Sequence, residues 1–173
     1  MRIASLANER YLADLIDYLK AKAYKFELIS HRPVYNCEEA EGIVSKRAGL
    51  FKTKSLFLKG RSEYYMVVLE ESQRMNFKAV SLAVGEKKIR FADEVDLKKF
   101  KLEQGSLGPF SIIENSSRQA HHFKLVFDES IKDYQDIETH PNCNDKTIVL
   151  SIAHMIEYLG ERGVSILMKG LQG

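Results

Sequence analysis

Thr53-Lys54-Ser55-Leu56-Phe57-Leu58-Lys59, Gly60-Arg61-Ser62-Glu63, Tyr64-Tyr65-Met66-Val67-Val68-Leu69: this run decides the fold, because it reads as two strands joined by a four-residue turn. In a strand, side chains alternate between faces, so Lys54 shares a face with Leu56 and Leu58 while Ser55, Phe57 and Lys59 take the other. That first face is apolar except at its entrance. A lysine there either snorkels its ammonium into water or holds it for an anionic or carbonyl-bearing ligand, and this strand alone leaves both open. The second strand is nearly continuous apolar sequence, which predicts burial on both faces and a central place in the sheet.

Before the hairpin, Leu12, Leu15, Ile16 and Leu19 recur at helical spacing and predict an amphipathic helix from about Asn8 to Ala23. Phe26 to Ile29 reads as a short strand, and His31 falls in the loop that leaves it. Asn36 with Glu39 is an asparagine variant of the capping box, starting a helix through Ala40, Ile43 and Val44 that Gly49 ends. After the hairpin, Asn76 caps a helix with Phe77, Val80 and Val84 inward, closed by Gly85 before a strand from Lys88 to Ala92. Asp93 begins another short helix, with Leu97 and Phe100 inward.

Gln104 to Phe110 is the one place where two glycines and a proline crowd together. Gly105 and Gly108 there let backbone amides approach a carbonyl oxygen or an oxyanion closely. Ile112-Ile113 and His122 to Phe127 read as strands flanking the polar turn Asn115 to Arg118. An acidic segment from Asp128 to Glu138 leads to Thr139-His140-Pro141-Asn142-Cys143-Asn144, then a strand from Thr147 to Leu150. Ser151 caps a last helix with Ile152, Met155, Ile156 and Leu159 inside, and Val164 to Met168 supplies a closing strand. Strands interleaved with short helices, with no linker or repeat, make residues 1–173 one α+β domain with a mixed sheet.

Composition narrows the function. A chain of 173 residues, 45% hydrophobic and 29% charged, can bury a real core. No apolar run approaches the roughly 20 residues that cross a bilayer, and no signal peptide is legible, so a cytoplasmic location without membrane association is expected. Cys37 and Cys143 offer no disulfide framework. A net charge of +2 is too small for a duplex-binding protein. Local clusters, Lys46-Arg47, Lys52 with Lys54, Lys87-Lys88 with Arg90, and Lys98-Lys99 with Lys101, form either solvated faces or a modest basic rim for a few phosphates. Cys143 with His140 is of the right residue type for a thiol enzyme, but no acidic orienter is identifiable. His121, His122, His140 and Cys143 fit no standard zinc spacing.

Four features in order carry a resemblance: His31-Arg32-Pro33-Val34 followed by Glu39-Ala40, Thr53 to Lys59 around Lys54, Gly105-Ser106-Leu107-Gly108-Pro109-Phe110, and His140-Pro141-Asn142-Cys143-Asn144. Together they span most of the chain, and in this order the sequence resembles the YbaK/ProX family of free-standing aminoacyl-tRNA deacylases, similar to the editing domain of bacterial prolyl-tRNA synthetases. The resemblance implies a curved, partly barrel-like mixed sheet and hydrolysis of a mischarged amino acid from tRNA, with Ala-tRNA(Pro) foremost and Cys-, Ser- or another small-residue tRNA open. It also implies that Lys54, His140 and the loop amides of Gly105 and Gly108 act on the ester, and that His31, Ser55, Pro109, Phe110 and Asn144 line the substrate. No cofactor or metal is implied. The implied partners are the 3' acceptor end of aminoacyl-tRNA and prolyl-tRNA synthetase, and monomer and homodimer stay open. An aminoacyl ester is already activated, so a positioned water, helped by the substrate's ribose hydroxyl, suffices as nucleophile. Three departures, Ser55 for a common asparagine, Gly108 for a hydroxyl residue and Asp145 for threonine, bear on which amino acid is edited. The rival class is a domain of the same fold that binds a tRNA end, a nucleotide or a synthetase without hydrolysis.

Overall fold

The computed structural model describes residues 3–33, 47–116 and 123–172. Within them an eight-stranded sheet is joined by five α-helices. Helix α1 (Ile3–Ala21) precedes β1 (Phe26–Ser30), and the hairpin is β2 (Leu50–Lys59) with β3 (Tyr64–Glu70). Next come α2 (Phe77–Val84), β4 (Arg90–Phe91), α3 (Glu94–Lys99) and α4 (Ser111–Ser116). The chain continues through β5 (Lys124–Asp128), a 3-10 turn (Glu129–Asp133), β6 (Asp136–Thr139), β7 (Lys146–Ser151), α5 (Ile152–Glu161) and β8 (Ile166–Lys169).

Strand order is β1-β7-β6-β2-β3-β5-β8, with β4 on β2. The long β2 is the hinge of the sheet. Its first residues, Leu50 to Lys52, pair in parallel with β6, and its remainder, Thr53 to Lys59, pairs antiparallel with β3 in the hairpin register Thr53↔Glu70 to Lys59↔Tyr64. Gly60 N–H closes the turn on Glu63 O at 2.8 Å. One strand thus serves two half-sheets, which curves the whole.

Both faces of β3 are covered, as its apolar run predicts. Met66 and Val68 join Phe57, Leu125 and Phe127 in a core closed by Leu15 and Leu19 of α1 and Met155, Tyr158 and Leu159 of α5. Tyr65, Val67 and Leu69 face the other way, with Leu58 and Val126, beneath Val80 of α2. Each fully buried aliphatic side chain contributes about 1.5–3 kcal/mol, so the hairpin is the energetic centre of the fold. Asn76 Oδ1 caps α2 by accepting from Ala79 N–H at 3.1 Å, and Gly85 ends it in the left-handed region at φ 74°.

Several sequence expectations are corrected. Ile112-Ile113 is helical, not a strand. Ser111 N–H and Ile113 N–H bond back to Gly108 O and Phe110 O, which starts α4 straight from the glycine loop. The acidic segment holds a strand, β6, because Ile137 and Thr139 point into the core while Asp136 and Glu138 take the opposite face; only its neighbours β7 and β2 make this polar run extended. Strand β4 is just two residues long. Phe77 faces out, 40% exposed, leaving Val80 as the buried residue of α2. Ser151 stands at the N-cap of α5 but makes no capping hydrogen bond through its side chain. The proposed helix through Ala40 and Val44, the turn residues Ser117 and Arg118, and His122 lie outside the described residues.

Candidate active site

The parallel pairing of β2 with β6 sets the site. Lys52 and Glu138 are register partners on the face turned away from the α1/α5 core. Thr53 Oγ1 donates to Thr139 Oγ1 at 3.0 Å, which holds the two strands together one residue further on. Beyond this pair β6 ends at Thr139, with His140 just past it, while Lys54 continues β2 in its pairing with Leu69 of β3. The Lys54 ammonium bends toward the end of β3 and donates to Glu71 O at 3.1 Å and to Gln73 O. An ammonium has three donors, so these carbonyls orient the group and leave one N–H to face a ligand.

Beside His140, β7 and the end of β1 bring Thr147 and His31. His31 N–H donates to Asp145 O at 3.0 Å, its Nδ1 contacts Arg32 O at 2.7 Å and its Nε2 contacts Thr147 Oγ1 at 2.9 Å. Nδ1–H donates to the Arg32 carbonyl, and the Thr147 hydroxyl, donor and acceptor both, meets Nε2, which fixes the orientation of the ring. The His31 and His140 rings meet edge to face at 6.1 Å between centroids. His140 Nδ1–H donates to Lys146 O at 2.9 Å, so its Nε2 carries the lone pair. Burial pushes the His140 pKa below its ordinary value, the Lys146 carbonyl opposes this and nearby His31 adds to it. The imidazole is therefore neutral near pH 7, an acceptor rather than a cation.

The glycine loop is pressed against this strand end. A Cβ on Gly108 would fall 2.6 Å from His140 O and 3.2 Å from Thr139 Oγ1, so only glycine permits this approach. Gly108 N–H donates to Ser111 Oγ at 3.1 Å, Ser111 Oγ donates to Asn142 Oδ1 at 3.0 Å, and Asn142 Nδ2 donates to Phe110 O at 3.1 Å. Asn142, buried and at φ 62°, thus ties the His-Pro segment to the loop. Asn142, not the Asn144 expected from the motif, makes this tie. An asparagine just after a proline was the available signal, since asparagine tolerates left-handed backbone and its short amide bridges nearby carbonyls.

The structure therefore brings together His31, His140 and Gly108, and adds Thr139, Thr147 and Asn142, while Lys54 stands on the adjoining strand β2 with its ammonium on Glu71 O and Gln73 O. It separates others. Ser55 lies on the opposite face of β2 from Lys54, paired with Val68 of the core, and its Oγ is buried with no hydrogen-bond partner among the described residues. Phe110 is a core residue, 3% exposed and edge-on to Tyr158, and the cavity beside it, about 10 Å³, takes no amino-acid side chain. Pro109 is buried next to it, and Gly105 turns the loop at φ 87°. Asn144 stands half-buried in the turn before β7. Gly108 offers close approach, not the free amide expected of it.

The alternative chemistries fare as follows. Burial, and behind it Asp145, push the Cys143 thiol up to about 12, and its Sγ contacts Pro141 O at 3.6 Å, so it is a protonated thiol at neutral pH. Asp145 itself pairs with Lys146 at 3.1 Å. His121 and His122 lie outside the described residues, and among those described no three His, Cys, Asp or Glu converge as metal ligands.

Comparison with known proteins identifies the family. The model of the aminoacyl-tRNA editing domain family matches residues 31–158, which include Lys54, the glycine loop and the His-Pro segment. The prolyl-tRNA editing protein ProX of Acetoanaerobium sticklandii is 35% identical over 130 residues, covering 73% of this chain and 76% of that protein. The solved structure of hypothetical protein APE2540 superposes with a TM-score of 0.66 at 16% identity, over 90% of this chain and 97% of that one. That of a candidate trans-editing enzyme for prolyl tRNA synthetase gives 0.65 at 15%, over 94% and 96%. At such identities these structures speak to the fold alone. The chain belongs to the aminoacyl-tRNA editing domain family and is an enzyme of its deacylase class.

Proposed function

We propose that residues 1–173 form one trans-editing domain that hydrolyses the ester of a mischarged aminoacyl-tRNA, Ala-tRNA(Pro) foremost, with Cys-, Ser- or another small residue as alternative cargo. The observation that carries this reading is the Gly108 loop pressed against His140, whose ring meets that of His31, at the end of the strand β6 that pairs with the Lys54-bearing β2. The 3' acceptor end lies along this pair of strands, and the oriented Lys54 ammonium anchors a phosphate or ribose hydroxyl. A water held by the neutral His140 Nε2 and the ribose 2'-hydroxyl attacks the ester carbonyl. The oxyanion forms against the loop amide of Gly105, since that of Gly108 is committed to Ser111. The C–O bond to the ribose 3'-oxygen then breaks, that oxygen takes the proton given up by water, and free amino acid leaves. No protein nucleophile is needed, in keeping with a Cys143 thiol that stays protonated. Prolyl-tRNA synthetase is the partner that produces such substrate.

The test is a panel of aminoacyl-tRNAs incubated with enzyme in excess and without added metal. Release of alanine from Ala-tRNA(Pro), lost by at least two orders of magnitude in Lys54→Ala with a melting temperature shifted by only a few degrees, is the expected result. No release from any member above the uncatalysed rate overturns the reading, and binding without release favours the non-catalytic class.

A further inference from the structure

Away from this site, the exposed apolar surface is concentrated. Among the described residues the large apolar side chains left in solvent are Leu28, Phe77, Leu82, Phe91 and Val95, and all but Leu28 fall in one short segment from α2 to α3. Phe77 and Phe91 are 40% and 52% exposed, and their rings meet edge to face at 5.2 Å. Phe77 also lines a cleft of about 600 Å³ with Gln73, Arg74, Met75, Asn76 and Gln172. Gln73 O accepts from the Lys54 ammonium, so one end of this cleft abuts the lysine of the candidate active site. The charge is also concentrated here. Residues 72–91 carry Arg74, Lys78, Lys87, Lys88 and Arg90 against the single carboxylate Glu86, although the whole chain has a net charge of only +2. Arg90 is drawn to Asp93 and Asp96, while Arg74, Lys78, Lys87 and Lys88 are exposed.

We propose that Phe77, Phe91 and Arg74 form a stacking platform for the unpaired bases of the tRNA 3' acceptor end, rimmed by the cations that meet its phosphates. The proposal rests on the deacylase reading and deepens it by naming where the single strand lies before its ester reaches Lys54. Exposed aromatic rings and a guanidinium offer π-faces to any base, and a cationic surround tracks the backbone. The core of a protein-docking patch is instead depleted of charge. A duplex would call for a larger basic face than this one.

The test measures binding of a fluorescently labelled single-stranded RNA oligonucleotide ending in CCA, and steady-state deacylation of aminoacyl-tRNA, for Phe77→Ala, Phe91→Ala, Phe91→Leu and Arg74→Ala. Both rings are solvent-exposed, and circular dichroism checks that each variant is folded. Each alanine variant at an aromatic position should raise Kd and KM roughly tenfold with kcat little changed. Phe91→Leu, which keeps apolar surface but loses the π-face, should behave like Phe91→Ala, and added salt should weaken binding throughout. Unchanged Kd and KM in the Phe77→Ala/Phe91→Ala double variant would overturn the platform, and so would a Phe91→Leu protein indistinguishable from wild type, which would mark an apolar protein-docking surface. The two readings fail separately. Wild type that releases amino acid while the variants bind RNA normally sinks the platform alone, and variants that lose RNA binding in a protein that releases nothing sink the deacylase reading alone.

Discussion

Lys54 and Cys143 show how far a residue's type is from its role. Lys54 reads from its strand as a lysine at the mouth of an apolar face, and it is that, with Leu56 and Leu58 packed further along in the core under α2. What directs its ammonium is the backbone just past β3, through Glu71 and Gln73, a partnership with no sequence signal because carbonyl groups are everywhere. Cys143 lies three residues from His140 in sequence and looks like half of a thiol dyad. Its burial raises the thiol pKa to about 12, so almost none of it is thiolate at neutral pH. Cys143→Ala should accordingly retain wild-type kcat/KM within about threefold on the same aminoacyl-tRNA. A folded but inactive variant would restore the thiol mechanism.

At the scale of elements, the glycine loop and the His-Pro segment act as one unit. Gly108, where the resembling family commonly has a hydroxyl residue, lets the loop approach His140 more closely than any side chain would, since a Cβ at 2.6 Å from a carbonyl oxygen must displace one backbone or the other. Gly108→Ala should therefore lower kcat/KM by on the order of 10²-fold, the cost typical of a displacement of about 1 Å in a catalytic group. It should do so with a smaller effect on KM than on kcat, because the anchoring Lys54 lies on a different strand. An alanine variant with unchanged turnover would show that the loop's distance from His140 does not matter to the reaction. The motif was legible in the sequence, but its internal wiring through Ser111 and Asn142 was not, because hydrogen bonds spanning some thirty residues leave no local pattern.

For the whole molecule, stability has an electrostatic centre away from the site. Asp96 is buried and receives Lys59 Nζ at 2.8 Å, Tyr64 OH at 2.6 Å, Arg90 at 3.3 Å and Asp93 N–H at 3.2 Å, linking β2, β3, β4 and α3. Burial alone would raise its pKa, but the hydrogen bonds from Lys59, Tyr64 and the Asp93 backbone outweigh it and hold the carboxyl below the usual range. A carboxylate with a depressed folded pKa stabilises the fold above its unfolded pKa of about 3.9, and that contribution is lost as pH falls toward the folded value. Asp96→Asn should cost about 3 kcal/mol in urea unfolding at pH 7, and its difference from wild type should shrink below about pH 4. A difference that persists unchanged in acid would assign the loss to packing instead.

The sequence by itself determined the hairpin, its register and its two-sided burial, because alternation and turn chemistry are local and the apolar run of β3 admits little else. It also determined the cap and stop of α2, and the short motifs from which the family could be read. Only the tertiary structure decided that Asp136 to Thr139 is a strand, that Ile112-Ile113 is helical, that Ser55 and Phe110 face the core, and that Asn142 rather than Asn144 ties the loop to the His-Pro segment. Three of these are set by a partner distant in the chain, a parallel neighbour, a packed ring or a buried amide, whose contribution exceeds the fraction of a kcal/mol to about 1 kcal/mol that local propensity supplies. The helix at Ile112-Ile113 is set instead by bonds back to Gly108 O and Phe110 O, which depend on the conformation of the glycine loop.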